Sequence, residues 1–390
     1  MKPPLRVLMV HNYYQRAGGE DFAFENEVQL LRSRGHRVDT YVRRNEELDE
    51  ASLLSAAMGA IWSRGSLIEL TQLIYAVRPE VVHFHNTFPL VSAAGIYAAK
   101  RLDIPVVATL HNYRLTCAAA THFREGRVCL DCIGKSVPWP AVAHSCYRGN
   151  RAASAVVAGM QVVHRLAGTW SHKVDALIVL SKSMREVLEA GGLPRKKLHI
   201  KANFLPDPGM GRGTRHRALF VGRLTPEKGL DTLLSAWRML PDMPLDIIGS
   251  GPLEEVIRRQ VQDQRLQNVQ IHGHLSHADV LSAMKRARLL LVPSVAYEGL
   301  PMTIIEGFAT GVPIVCSDIG SPAEMVGSRS VGALFGPGDP EALVKLVKSL
   351  WADGQRLEQL RQAGRQEYER AYGSDRCYER LMEIYGGMLF

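Results

Sequence analysis

Phe220-Val221-Gly222-Arg223-Leu224-Thr225-Pro226-Glu227-Lys228-Gly229 starts as the end of an apolar run and breaks at a glycine into a basic loop. The segment that follows, Gly229 to Leu240, is helix-compatible. Strand, glycine loop and helix together form the repeating unit of a parallel α/β sheet. The alternation continues downstream, with Ala218 to Val221, Leu245 to Ile248, Val269 to Ile271, Leu289 to Val292 and Pro313 to Cys316 reading as strands. Leu253 to Asp263, Ala278 to Arg286 and Thr303 to Thr310 read as the intervening helices, and the chain is helix-rich after Asp339-Pro340. Upstream, Leu205 to Thr214 crowds Pro and Gly into a segment suited to a linker.

Before that linker the same plan runs once already. Leu5 to Val10, Arg37 to Val42, Glu80 to Phe84, Pro105 to Leu110 and Ala176 to Leu180 read as strands. Glu20 to Arg32, Leu67 to Val77, Val91 to Arg101 and the Ala-rich Arg151 to Leu166 read as helices, the last with apolar residues on more than one face. Two α/β domains in tandem create a cleft where the carboxyl-end loops of both sheets can meet a ligand. A chain of 390 residues is long enough for two such cores.

The composition, 46% hydrophobic and 22% charged, argues against extensive disorder. The amino-terminal residues lack the pattern of a secretory signal, and no apolar stretch approaches the roughly 18 residues of a membrane span. A cytoplasmic protein is expected, with membrane contact only at its surface. The net charge of +8 is uneven: residues 1–204 carry 26 Lys/Arg against 17 Asp/Glu, and residues 205–390 carry 21 against 22. A first half at +9 suits an anionic acceptor, a lipid pyrophosphate or an acidic membrane surface, and equally suits solubilising charge. Nucleic acid is not expected as a partner, because no zinc-finger or RNP-like pattern accompanies the charge.

Several positions carry candidate chemistry. Gly18-Gly19 lies between the first strand and first helix, where backbone amides can approach an anion; a tight turn explains it equally. It is not the Gly-x-Gly-x-x-Gly fingerprint, so a nicotinamide cofactor is not expected. Arg223 and Lys228 follow a strand end and can clamp a diphosphate, or can be ordinary surface cations. Gly249, Gly251 and Pro252 form a turn after the next strand. Glu298-Gly299-Leu300-Pro301-Met302-Thr303-Ile304-Ile305-Glu306 reads as a loop entering a helix, with two carboxylates for a polyhydroxylated ligand. Glu298 can instead stabilise the helix dipole, and Glu306, amid apolar residues, needs a partner if buried. His111 ends a strand of the first domain, where it can donate to a sugar or acceptor oxygen. Cys117, Cys129, Cys132 and Cys146 share one window and can bind structural zinc, with His122 and His144 as substitutes; buried thiols or a disulfide are the alternatives.

Taken in order, these motifs resemble the family-4, GT-B-fold retaining glycosyltransferases, in particular a subset with a cysteine-bearing insertion in the N-terminal domain. Gly18-Gly19 is similar to their acceptor loop, Val221 to Gly229 to their phosphate-binding segment, and Gly249 to Pro252 to their nucleotide-side turn. Glu298 and Glu306 reproduce their two glutamates with seven residues between them. The resemblance implies a GT-B fold: an N-terminal acceptor-binding Rossmann-like domain (1–204) facing a C-terminal nucleotide-sugar-binding one (205–372) across a cleft. It also implies that helix 373–390 packs back on the first domain, through Tyr385, Met388, Leu389 and Phe390.

The resemblance further implies transfer of a hexose-type sugar, with retention, from a UDP- or GDP-sugar to a saccharide, lipid-linked or small-molecule hydroxyl. Arg223 and Lys228 then neutralise the diphosphate, Glu298 holds sugar hydroxyls, Glu306 accepts from the ribose, and His111 sits beside the transferred sugar. The donor-binding set comprises Gly18, Gly19, Arg223, Lys228, Gly249, Gly251, Pro252, Gly299, Leu300, Pro301, Met302, Thr303 and Glu306. Many relatives have His-Asp where this chain has His111-Asn112. Asp318 to Glu324 resembles a later loop of the family. No catalytic metal is expected. The alternatives are a sugar-nucleotide epimerase and a noncatalytic nucleotide-sugar-binding protein.

Overall fold

The computed structural model describes residues 4–15, 18–48, 53–213, 215–327 and 330–389; Met1 to Pro3, Thr214 and Phe390, named above, lie outside them. The chain divides into two compact units, one of Met1–His122, Leu130–Asn203 and Ser374–Phe390, the other of Phe123–Cys129 and Phe204–Gly373.

The first unit is built on β1 (Arg6–Tyr13), β2 (Arg37–Arg44), β3 (Val81–Phe84) and β4 (Val106–Leu110). A short antiparallel hairpin, β5 (Phe123–Arg124) and β6 (Arg127–Val128), precedes its last two strands, β7 (Ala176–Val179) and β8 (Leu198–Ile200). The sheet is parallel throughout, in the order β2-β1-β3-β4-β7-β8. Its inner strands Val81–Phe84 and Val106–Leu110 are buried along their whole length, mostly apolar with His83 and Thr109 as the polar exceptions, as a parallel sheet covered by helices requires. The C-terminal helix Ser374–Leu389 belongs to this core: Leu381, Met382, Ile384 and Tyr385 pack with Val7, Met9, Phe24 and Leu31.

The second unit contains β9 (Arg217–Val221), β10 (Leu245–Ile248), β11 (Val269–Gly273), β12 (Ala287–Val292), β13 (Ile314–Ser317) and β14 (Ala333–Phe335). It too is parallel, ordered β11-β10-β9-β12-β13-β14. Trp237 anchors its core, fully buried, with its indole N–H donated to the Met243 carbonyl at 2.9 Å. In this unit the strand order reverses between β9 and β12; in the first it reverses between β1 and β3. Open α/β sheets bind ligands beside the carboxyl ends at such a reversal.

The strands expected from sequence are present, most shifted by one or two residues; β1 runs three residues further. Missing from that reading are the edge strands β8 and β14, the hairpin, and helices Leu53–Ile61, Trp139–Ala143 and Lys182–Ala190. Asp318 to Glu324, read as a loop, is mostly helix: Gly320–Gly327 starts at Gly320, whose φ of 54° makes the sharp entry that a glycine permits. The helix Arg151–Leu166 buries one stripe, Ser154, Val157, Ala158, Gln161 and His164, at helical spacing, and leaves Val163 and Leu166 exposed. No described helix is long and apolar enough to cross a membrane.

Candidate functional site

In the second unit, glycines weld the loops at the β9 and β10 carboxyl ends. A Cβ on Gly249 would fall 1.9 Å from the Gly222 carbonyl oxygen, and one on Gly251 would fall 2.5 Å from that of Leu224. Backbone-to-backbone packing therefore accounts for both glycines. Gly229, at φ 70°, presses against the Pro293 carbonyl in the same way, and Val295 donates to the Glu227 carbonyl at 2.9 Å. The loop after β9 is thereby stitched to the loop after β12, which brings Lys228 to Glu298.

The Lys228 ammonium lies 2.6 Å from Glu298 Oε2, with the two side chains 21% and 14% exposed. The Ser294 hydroxyl donates to Glu298 Oε1, and the Ser321 hydroxyl donates to the Glu298 backbone oxygen at 2.8 Å. Burial by itself would raise the Glu298 carboxyl, but Lys228, Ser294 and the nearby charge of Arg223 overturn that and hold it below its ordinary value. Arg223 is itself exposed. Glu298 is thus an ion-pair partner set ahead of the helix Met302–Thr310, not a first-turn dipole residue.

Glu306 lies inside that helix, buried, and its partner is His277: Nε2 to Oε1 is 2.9 Å. The hydrogen bond to Glu306, opposed by burial, raises the His277 pKa. Thr303 reaches the Val221 carbonyl at 3.5 Å. Pro301 precedes the first turn, whose leading amides have no intrahelical acceptor and face away from the helix with positive partial charge. Gly299, Leu300 and Met302 form the approach to it. Neither Ser294, Ser321 nor His277 was legible in sequence; each is a common residue marked only by the carboxylate it meets.

The first unit gathers histidines where its strand order reverses. His11 lies on β1, His83 on β3, His85 just beyond, and His111 just beyond β4. Beneath them Glu27 and Lys201 form a buried ion pair at 2.5 Å. Glu27 Oε1 faces His83 Nδ1 at 3.2 Å and His85 Nε2 at 3.3 Å. His83 is further held by Tyr385 at 2.7 Å and Thr109 at 2.8 Å, and His85 Nδ1 meets His111 Nε2 at 2.9 Å. Burial, first, and neighbouring His85 and Lys201 charge push His83 and His111 well below the usual histidine pKa, and His85 is lowered mainly by burial. Glu27 is held well below its ordinary value because Lys201 and the two imidazoles outweigh its burial.

Glu27, His83 and His85 are the one group of three His, Cys, Asp or Glu ligand atoms within 4.8 Å of one another among the described residues. Lys201 already supplies the cation there, and a dication beside a buried ammonium would meet strong repulsion. Cys117, Cys132 and Cys146, in this unit, form no such group; Cys132 and Cys146 pack against Phe88, Ala118, Ala141 and Val157. No disulfide joins these cysteines or Cys129.

His111 opens onto a pocket of about 660 Å³, solvent mouth included, at the β3 and β4 carboxyl ends. Phe84, Phe88, Leu115, Met160 and Trp170 make apolar wall, and Glu20, Asn86, Asn112 and Arg114 bring polar groups. Asn112, the departure from His-Asp, donates to Glu20 Oε1 at 2.6 Å. Gly18 caps the helix Gly19–Ser33; its N–H donates to Asp21 at 2.9 Å, and Asp21 also holds His11 at 2.7 Å. A Cβ on Gly18 would meet no described atom within 4 Å, and its φ of −136° is open to any residue, so no turn demands glycine there.

Two doubly wound parallel units, each with polar side chains at its strand reversal, define a GT-B fold. The solved structures agree. Sucrose-phosphate synthase from Thermosynechococcus elongatus superposes with a TM-score of 0.74 at 16% identity, over 98% of both chains. Anabaena HepE in complex with UDP gives 0.70 at 14%, over 98% of this chain and all of that one. In sequence, residues 18–206 match Glycosyltransferase Family 4 and residues 211–367 match Glycosyl transferases group 1. The glycogen synthase of Mycobacterium tuberculosis is 28% identical over 301 residues, 74% of this chain; the match spans 64% of that protein's length. The chain has a GT-B fold, and its two halves are similar in sequence to these two glycosyltransferase families.

Proposed function

We propose that this protein transfers a hexose-type sugar, with retention of anomeric configuration, from a UDP- or GDP-sugar to a hydroxyl acceptor. The observation that carries the reading is the Lys228–Glu298 pair at the strand reversal of the second unit, with Glu306 buried along the adjoining helix. In this reading Arg223, Lys228 and the first-turn amides of Met302–Thr310 neutralise the diphosphate as it leaves. Glu298, ionised and with lone pairs to spare, accepts from sugar hydroxyls, and Glu306 accepts from the ribose. The leaving phosphate assists same-face substitution, so no carboxylate is assigned as nucleophile. The UDP present in the Anabaena HepE structure supports a nucleotide-bearing donor.

The acceptor enters the pocket beside His111, where apolar walls flank polar groups. A saccharide, a lipid-linked saccharide or a small hydroxylated molecule fits that chemistry. The basic excess of residues 1–204 supports an anionic acceptor or peripheral contact with an acidic membrane from the cytoplasm. Structural zinc at Cys117, Cys129, Cys132 and Cys146 is a separate proposal, supported by the single Cys-x-x-Cys pair and its two neighbours in sequence. Stoichiometric metal in protein prepared with zinc, lost in Cys129→Ser, is the expected result.

The test is a panel of UDP-glucose, UDP-N-acetylglucosamine and GDP-mannose against lipid and saccharide acceptors, read by mass spectrometry. Nucleotide release with a glycosylated product is expected. Epimerised donor, or binding with neither product, contradicts the reading. Glu306→Ala should weaken donor binding by about ten-fold, the scale of a lost charge-assisted hydrogen bond.

A further inference from the structure

Four of the buried polar groups in the first unit form a line that the transfer reading leaves unused. Lys201 meets Glu27 Oε2 at 2.5 Å, Glu27 Oε1 lies 3.3 Å from His85 Nε2, and His85 Nδ1 lies 2.9 Å from His111 Nε2. Glu27, His85 and Lys201 are each under 10% exposed, so water does not compete for these contacts. Glu27 Oε1 and His85 Nε2 face each other without a formed hydrogen bond, and the line ends at His111 Nδ1, a third buried atom with no hydrogen-bond partner, on a side chain that lines the pocket.

The order of protons along this line follows from the charge at its start. A carboxylate bound to an ammonium is an acceptor, so the imidazole nitrogen facing it carries hydrogen: His85 is protonated on Nε2. A neutral His85 then has a bare Nδ1, which accepts from His111, and His111 must be protonated on Nε2. The lone pair of His111 is left on Nδ1. We infer that His85 is a positioning residue which, backed by Glu27 and Lys201, locks His111 as a neutral imidazole protonated on Nε2 and so presents Nδ1 as a hydrogen-bond acceptor for a hydroxyl of the bound sugar or acceptor.

The inference rests on the transferase reading for the identity of that hydroxyl, and on geometry alone for the tautomer. Burial of three imidazoles around one ion pair agrees with it, since a second positive charge beside Lys201 is disfavoured. It also reverses the expectation that His111 donates: with Nε2–H spent on His85, this side chain accepts. His83 completes the setting without joining the line. Its Nδ1 meets the Tyr385 hydroxyl at 2.7 Å and faces Glu27 Oε1 at 3.2 Å, and its Nε2 meets Thr109, so the C-terminal helix closes the network from the far side.

The test is long-range proton–nitrogen correlation NMR on protein labelled with nitrogen-15 histidine, with His111→Gln assigning the His111 signals. Wild-type protein should show a neutral His111 protonated on Nε2 between pH 6 and 8. A His111 protonated on Nδ1, or charged, overturns the inference. His85→Phe should release the lock and give a mixture of tautomers, whereas His85→Gln, which keeps an accepting oxygen, should restore the Nε2–H form. An unchanged tautomer in His85→Phe also overturns it. With UDP-glucose or whichever panel donor is turned over, His85→Phe should lower kcat about ten-fold while donor KM stays within about two-fold, a split that general misfolding does not produce. If His85→Phe does not fold, the wild-type spectrum decides. The spectrum needs no sugar, so its failure and that of the donor panel are separately visible.

Discussion

The two units share one architecture and handle charge in opposite ways at the place where strand order reverses. In the first, Glu27 and Lys201 are paired with each other and sealed beneath imidazoles whose pKa values burial lowers, and Asp21 is buried against His11. In the second, Lys228 and Glu298 are paired but part-exposed, and Arg223 stands free in solvent nearby. On the proposed reading, the first suits a hydroxyl-bearing acceptor, and the second keeps cations within reach of a diphosphate. The difference teaches that one doubly wound plan can carry opposite arrangements of charge at its strand reversal.

The largest effect expected is on the sealed pair. Glu27→Gln leaves Lys201 buried without its anion and should destabilise the protein by about 3–5 kcal/mol, measured by urea unfolding, whereas Glu27→Gln with Lys201→Met should recover much of the loss. A single variant as stable as wild type would break the comparison. On the open side, Arg223→Ala should leave stability within about 0.5 kcal/mol, as exposed substitutions do, while lowering transfer by about 100-fold, or about 2.7 kcal/mol of transition-state stabilisation. Unchanged turnover would remove Arg223 from the diphosphate.

The smallest effect concerns pH, and the units should carry opposite signs. His83, His85 and His111 have folded-state pKa values below 6.5, so below that pH the unfolded chain binds protons that the folded chain refuses. Their contribution to stability therefore rises as pH climbs through 6.5 and levels off above it, by about 1 kcal/mol for each fully buried imidazole between pH 5.5 and 7.5. His277 is raised, so its contribution is fully present below 6.5 and is lost as pH rises through its folded value. Its part exposure makes this the weaker term. Histidine NMR titration should show His277 titrating above 6.5 and the three buried rings titrating below it; a reversed order contradicts the assignment.

The fold was legible where burial writes long apolar runs. Val81–Phe84 and Val106–Leu110 are fully buried central strands, and their sequences are apolar except for His83 and Thr109. The edge strands β8 and β14 escaped because three residues, Leu198-His199-Ile200 and Ala333-Leu334-Phe335, are too few to show a period. In the site, Lys228 and Glu298 were visible as motif residues, but their pairing depends on Gly229 packing against Pro293, a contact across 64 residues of chain. The histidine network was the least legible. Glu27, Lys201 and Tyr385 sit on a helix, after a strand and near the C terminus, with nothing local to link them. Gly249 and Gly251 show the converse, since their prominence in sequence follows from loop packing.

The central claim is retaining transfer from a nucleotide sugar, and its most direct measurement is the configuration of the first product formed. With an α-linked donor such as UDP-glucose or GDP-mannose and the acceptor that supports turnover, proton NMR of the anomeric signal during the reaction should show an α-glycoside appearing as free nucleotide diphosphate accumulates. A β-glycoside as first product, or a changed donor sugar without nucleotide release, would contradict the account.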